Sequence, residues 1–250
     1  LLAAPDLAQT YARQLSSLSG AVSRLLLPAI RSRLHLPGGD EAIGDRIGRL
    51  FEQVEALRAS LTDAEEASVR LVLNPERMAV RETQRAFTYL SLFGLHVDAL
   101  LANRVYPGAI TDPYLADWRE HQAVHLAETA ELFAPLPVLQ VPLLPDEVMG
   151  LAALRALGAD LYGTRDAAAR LSREEPLRIV SENGQLVLEL WISGVPAGSV
   201  SLEKTADELT VRLGTMRRTI ALPQSLATLD ASWARVEEGH LRIAFRQPSA

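Results

Sequence analysis

Two short apolar runs with one amphipathic helix between them narrow the possible folds of this 250-residue chain most sharply. The runs cover residues 68–73 and 97–103, and Gly94 ends the helix that separates them. A third run at residues 137–141 follows a second helical segment and precedes a third one at residues 146–162. Strands that alternate with helices in this way predict βαβ units, a parallel sheet and right-handed crossovers.

Polar or loop-forming residues follow each predicted strand. Asn74 and Glu76 come after the first strand, Asn103 ends the second, and Pro142 and Leu143 follow the third. The carboxyl ends of parallel strands share one edge of a sheet, and open sheets bind ligands there. A side-chain amide can both donate to and accept from a purine edge. A simpler interpretation, in which Asn74 caps a helix and Asn103 stands in a turn, stays open on these residues alone.

The sequence before the sheet is helical from residue 5 to residue 62, with a break at residues 36–41. The last helix carries an apolar face that consists of Ile43, Ile47, Leu50, Val54, Leu57 and Leu61. A stripe of this kind packs into a core or binds the apolar face of a partner helix. The sequence does not separate these two roles.

The sequence after the sheet changes character twice. Residues 164–176 are polar and predict a linker. Beyond Leu177, short strands with turn signals between them predict a small β-sandwich over residues 177–250. We expect one face of each strand to be buried, a hairpin that turns at Glu238-Gly239, and only light contact with the preceding residues.

Composition limits the function classes. The net charge of −6 argues against a nucleic-acid partner, which would favour a basic face. The 250 residues contain no cysteine, which excludes disulfides and thiolate metal sites and fits a cytoplasmic location. No apolar stretch predicts stable insertion in a membrane. His121 and His125 have metal-ligand spacing, but no third ligand is evident, so they predict a solvated helix face rather than a metal site.

Several stretches, taken in order, resemble the arsenite-pump and tail-anchored-protein-targeting (ArsA-like) ATPase family. They are "LLAAPD" at the first residue, "VRLVLNPERMAVRETQRAFTYLSLFGLHVDALLANRVYP", "VPLLPDEVMGLAALRALGADLYG", and the C-terminal run "GVPAGSVSLEKTADELTVRLGTMRRTIALP". The last one resembles the α-crystallin-like domain that some members append. The resemblance covers essentially the whole chain. It implies a partial parallel-sheet P-loop-type NTPase domain with a helical subdomain over residues 1–163, a linker, and a sandwich over residues 177–250.

The resemblance also implies roles for individual residues. The family's acidic nucleotide contact falls on Glu76, its adenine-contacting asparagine on Asn103, and its adenine loop on Pro142 and Leu143. The intact protein would bind ATP and magnesium, hydrolyse ATP, form a homodimer and offer a groove to an amphipathic client helix. The cysteines that bind a bridging zinc in eukaryotic members fall on Ala116 and Arg119, which excludes that site, and thiols for arsenite are missing as well.

The departures from the family lead to an expectation about completeness. No phosphate loop with its lysine occurs in these 250 residues, so the family's pattern predicts it upstream of Leu1 and predicts that this chain alone is inactive. The strand at residues 68–73 should then have an unpaired edge, and the isolated chain should tend to associate. The rival interpretation is a non-enzymatic, chaperone-like module that binds clients through the helices at residues 5–62.

Overall fold

A computed structural model describes residues 40–109, 112–205 and 207–247 of the chain. The chain divides into two units between Glu66 and Ala67. In the first unit, helix α1 spans Asp40–Thr62, as its apolar periodicity predicts. Leu50 and Leu57 of that stripe are more than half exposed. The helices predicted between residues 5 and 39 lie outside the described residues. No helix among the described residues has the length and apolar character needed to cross a membrane.

The second unit begins with the predicted alternation of strands and helices. The three strands form a parallel sheet in the order β1-β2-β3, which confirms the expected fold class. The strand β2 runs two residues further than the apolar run predicts. The elements are β1 (Val69–Leu73), α2 (Arg77–Leu92), β2 (Val97–Val105), α3 (Pro113–Leu132), β3 (Val138–Pro142) and α4 (Gly150–Tyr162).

The strand β1 forms an open edge of this sheet. Among the described residues it pairs only with β2, and Val72 is 62% exposed in the middle of the strand. A shallow groove of about 410 Å³ runs beside it, between Val72 and the α2 residues Ala79 and Ala86. The prediction of an unpaired edge therefore holds for the part of the chain that the structure describes. Such an edge presents backbone groups that another strand can pair with.

Residues 177–246 form two antiparallel sheets that match the expected sandwich. One sheet has the order β4-β5-β10-β9 and the other has the order β6-β7-β8. The predicted hairpin is confirmed, because Glu238 and Gly239 both have positive φ between β9 and β10. A short helix, α5, precedes β9. The elements are β4 (Leu177–Glu182), β5 (Gln185–Trp191), β6 (Val200–Lys204), β7 (Glu208–Leu213), β8 (Met216–Ala221), α5 (Gln224–Ala227), β9 (Asp230–Glu237) and β10 (His240–Arg246).

The expectation that the sandwich touches the rest only lightly is wrong. Residues 67–250 form one compact unit, and α2 is the wall that its two halves share. The ring of Phe87 packs edge-on against Trp191 of β5, with 4.9 Å between centroids. The buried hydroxyl of Thr88 accepts a hydrogen bond from the backbone N–H of Ser193 at 3.0 Å. An aromatic contact and a buried hydrogen bond of this kind stabilise an interior rather than a mobile tether.

The predicted linker is also docked on the sheet. The guanidinium of Arg70 in β1 donates to the carbonyl oxygens of Ala167 and Ala169, at 2.6 and 2.7 Å. The backbone N–H of Leu171 donates to Asp98 Oδ2 at 3.0 Å. The polar character of residues 164–176 therefore reflects a strap that is fixed at the amino ends of β1 and β2. The boundaries at residues 163 and 177 stay a prediction, and the segment between them is held to the sheet by these hydrogen bonds.

The strand β5 corrects the expectation that only one face of each strand is buried. Leu188 and Leu190 are buried as predicted, but Val187, Glu189 and Trp191 on the opposite face are buried too. The second face is covered because α2 packs on the end of the strand and because arginine side chains cover Glu189. A central strand with layers on both faces loses the simple alternation.

Candidate functional site

The carboxyl edge of the parallel sheet carries all four residues that the sequence singles out. Glu76 follows β1, Asn103 lies near the end of β2, and Pro142 ends β3 with Leu143 after it. Val105 pairs with Pro142, and its carbonyl oxygen accepts the N–H of Leu143 at 2.8 Å. The third strand and its loop are thereby joined to the end of the second strand.

A cavity of about 560 Å³ opens at this edge, a volume typical of small-ligand sites. Glu76 and Leu143 line it, whereas Asn103 and Pro142 are not among its lining residues and lie next to it along the strand ends. The cavity is also lined by residues that the sequence did not single out, namely Arg77, Met78, Arg104, Tyr106, Trp118 and Gln122. The cavity and the two residues beside it, Asn103 and Pro142, therefore share one edge of the sheet.

The start of α2 forms one wall of the cavity. Pro75 is buried and turns the chain, Glu76 stands at the N-cap position with extended backbone, and its side chain makes no capping hydrogen bond. The interpretation of Asn74 as the helix cap is therefore wrong, because the cap position belongs to Glu76. The carboxylate of Glu76 is exposed and faces the cavity instead of closing the first turn. It is available to a ligand.

The helix α3 forms the opposite wall. Its first turn is capped by Asp112, whose side chain accepts hydrogen bonds from the N–H groups of Tyr114 and Leu115. Trp118, His121 and His125 lie on one face at helical spacing and line the cavity. His121 is exposed and His125 is half-buried, so the expected solvated face agrees with the structure, and the same face lines the cavity. Their spacing with Trp118 was the signal that could have revealed this wall from the sequence.

The side chains around the cavity determine which kind of ligand this edge could bind. The lining is mixed, because amide, aromatic and aliphatic groups stand beside the charged Glu76, Arg77 and Arg104 and two histidines. Magnesium prefers several oxygen ligands in an octahedral shell. No group of three or more His, Asp or Glu side chains among the described residues could hold a metal ion.

Comparisons with known proteins agree with both halves of the fold. Residues 1–163 match the family model described as Anion-transporting ATPase. Residues 183–245 match the model of an HSP20-like domain found in ArsA. A protein provisionally named arsenical pump-driving ATPase 1 in Aquifex aeolicus is 30% identical over 243 residues, 96% of this chain and 61% of that protein.

Two further relatives differ in how much of the chain they match. A protein provisionally named arsenical pump-driving ATPase in Chlorobaculum tepidum is 33% identical over 201 residues, 80% of this chain and 50% of that protein. An ATPase ASNA1 homolog of Trypanosoma cruzi is 30% identical over 119 residues, 46% of this chain and 33% of that protein. The chain thus spans 61% of the length of the Aquifex protein and 50% of the length of the Chlorobaculum protein.

Proposed function

The chain belongs to the anion-transporting ATPase family, and we propose that the carboxyl edge of its parallel sheet supplies the adenine side of an ATP site. The observation that carries the proposal is the position of Glu76, Asn103, Pro142 and Leu143 on one edge of one parallel sheet. Ligands of open parallel sheets bind at that edge. The adjoining cavity provides space for the rest of a nucleoside.

Each of these residues has a chemical role in the proposal. The amide of Asn103 donates to and accepts from the adenine edge, a pairing that suits the adjacent donor and acceptor of adenine. The exposed Pro142 and Leu143 cover a ring face. The carboxylate of Glu76 accepts a hydrogen bond from a ribose hydroxyl. Together these contacts hold and orient the base without any step of phosphate chemistry.

We do not assign the phosphate side of the ATP site to these 250 residues. Phosphoryl transfer needs a phosphate cradle and metal ligands, and the 250 residues contain no phosphate loop with its lysine. We assign ATP hydrolysis with magnesium, and a homodimeric state, to the intact protein. The names of the relatives mention an arsenical pump. The lack of cysteine in this chain removes the thiol ligands that arsenite would bind, so the transported species is left out of the proposal.

Adenosine is the sharpest probe, because it needs only the adenine side of the site. Titration of the chain with adenosine, followed by NMR chemical shifts, should perturb residues 103–106 and 142–143, and guanosine should bind more weakly. Asn103→Ala should weaken adenosine binding by about 1–3 kcal/mol, the scale of a lost buried polar contact. The matched control is Gln140→Ala, an exposed amide on β3 that does not line the cavity. Equal effects of the two variants would contradict the proposal.

A second function, client binding, is favoured by one observation on α1. Leu50 and Leu57 are spaced two helical turns apart, and they are 55% and 52% exposed. An exposed stripe of this kind suits the apolar face of an amphipathic helix. Leu57→Glu should abolish binding of such a peptide while leaving adenosine binding unchanged. Retained peptide binding in that variant would remove the support for this function.

A further inference from the structure

Gln122 holds the end of β2 through two backbone hydrogen bonds. Its side-chain oxygen accepts the N–H of Tyr106 at 2.7 Å, and its side-chain nitrogen donates to the carbonyl oxygen of Arg104 at 3.0 Å. The residue lies on α3 and is only 8% exposed. One side chain therefore satisfies both a donor and an acceptor on the same short backbone segment.

The segment that Gln122 holds has an unusual conformation. The register between β2 and β3 is irregular between Ala102 and Val105, so Asn103 and Arg104 form a bulge. Arg104 has a φ of 56°, in the left-handed region that residues other than glycine rarely adopt. A conformation of this kind costs free energy and persists only where the surroundings hold it in place.

A second contact from α3 supports the same loop. The guanidinium of Arg119 donates to the carbonyl oxygen of Gly108 at 2.9 Å. The helix is itself anchored by the Asp112 cap, so the loop between β2 and α3 is tied to the helix on both sides of residue 106. Of the two contacts, that of Gln122 is closer along the chain to Asn103 and is the more buried.

We propose that Gln122 is the positioning residue that sets the orientation of Asn103 toward the adenine base. This inference rests on the proposed function and names a specificity determinant within it. Gln122 bonds the backbone that immediately follows Asn103, so it acts through that backbone. The bulge takes Asn103 out of the regular register with β3, and we expect a fixed bulge to let its amide distinguish the donor–acceptor edge of adenine from the acceptor-only edge of guanine at the same positions.

The chemistry of the amide makes the substitution informative. In Q122E the side chain keeps its shape and still accepts from Tyr106, but a carboxylate cannot donate to the Arg104 carbonyl. Two acceptors then face each other across the former hydrogen bond. The bulge should relax while the core of α3 stays filled. Q122L removes both bonds and leaves the carbonyl of Arg104 and the N–H of Tyr106 without their partner.

The test measures adenosine and guanosine affinity on the full chain by NMR titration for the wild type, N103A, Q122E and N103A/Q122E. We expect Q122E to weaken adenosine binding about tenfold, the change that corresponds to one lost net hydrogen bond, with guanosine binding nearly unchanged. The double variant should bind no more weakly than N103A alone, because both changes remove the same contact. Gln140→Glu is the matched control, with the same change of charge on an exposed strand position.

The possible results separate the inference from the function on which it rests. If N103A weakens adenosine binding and Q122E does not, the inference fails and the proposed function stands. If the wild type binds no adenosine, the proposed function fails and the inference fails with it. The amide resonance of Tyr106 adds a readout without ligand, since it should shift strongly in Q122L and less in Q122E. Full additivity of N103A and Q122E would overturn the positioning role.

Discussion

The amino and carboxyl ends of the parallel sheet carry charged side chains in contrasting surroundings. At the amino end Asp98 is fully buried, and its two oxygens accept from Arg70 and from the N–H of Leu171. At the carboxyl end Glu76 and Arg104 are exposed and line a cavity of about 560 Å³. The same sheet thus uses charge to close one end and leaves it accessible at the other. A charged residue in or beside an apolar strand therefore suggests a ligand site only where the residue stays accessible and is not buried with partners from the same chain.

The closed end depends on the strap at residues 164–176. The hydrogen bond that Arg70 donates to Asp98 raises the pKa of its guanidinium, which outweighs the opposing effect of burial. The remaining donors of Arg70 reach the strap carbonyls and the hydroxyl of Tyr162. All of these partners lie within the chain itself. A buried ion pair of this kind is worth most when every donor and acceptor is satisfied.

The largest expected effect comes from breaking the closed end. Asp98→Ala leaves the guanidinium of Arg70 without its buried counter-charge and should cost about 3–5 kcal/mol of unfolding free energy, measured by urea denaturation. Trypsin should then cut at Arg170, because the strap loses its anchor at Leu171. The matched control is Glu82→Ala, which removes an exposed pair with Arg85 and should cost less than about 0.5 kcal/mol. A loss below about 1 kcal/mol in Asp98→Ala would contradict the contrast between the two ends.

A smaller effect is expected where α2 packs closely against the sandwich, and two glycine-to-alanine substitutions test it. Gly194 and Gly214 have φ values of 63° and 60°, but only Gly194 has a neighbour where a Cβ would stand, with Gln84 Nε2 at 2.1 Å. Both changes to alanine incur the left-handed strain, and Gly194→Ala should cost somewhat more than Gly214→Ala, because the flexible end of the buried Gln84 side chain has to move. Thermal unfolding of both variants measures the difference. Gln84→Ala should remove the excess in the Gly194→Ala background, and a persisting excess would show that the close approach is not its cause.

The smallest effect concerns pH. Burial alone would raise the pKa of Glu189, but the hydrogen bonds and charges of Arg178 and Arg242 outweigh it and hold the pKa below 4.5. A carboxylate with a lowered pKa stabilises the fold above pH 4.5, and this stabilisation is lost as the pH falls through the folded-state value. Glu189→Gln should cost about 1–2 kcal/mol at pH 7 and should reduce the decline in urea stability between pH 6 and pH 3.5. Identical pH profiles for Glu189→Gln and the wild type would refute the assignment.

The sequence predicted those parts of the fold that local patterns determine. The strands emerged from runs of valine and leucine, and the hairpin at residues 238–239 emerged from its turn residues. The bulge at Asn103 and Arg104 could not be predicted, because Gln122 imposes it from a helix that begins ten residues later along the chain. A bond between distant elements leaves no periodic signal.

Two features that contradict the sequence-based expectations do have signals in the sequence. Asp98 stands inside an apolar strand, and an isolated charge there implies a buried partner. Thr83, Gln84, Thr88 and Ser91 form a polar stripe on α2, which suggests a solvated face, yet all of them are buried. Two members of this stripe, Gln84 and Thr88, lie against Gly194 and Ser193 of the sandwich. The ends of the strands predict the site residues but not the wall formed by α3.

The shared wall formed by α2 has a consequence for synthesis on the ribosome. Its contacts with the sandwich join residues 105 positions apart, as Thr88 and Ser193 are. At translation rates of about 5–20 residues per second, the face of Phe87 is made roughly 5–20 seconds before the strand that covers it. Throughout that interval a nascent chain presents a bare aromatic surface beside an open strand edge. The aromatic face of α2 is therefore open to protein quality control before its sandwich exists.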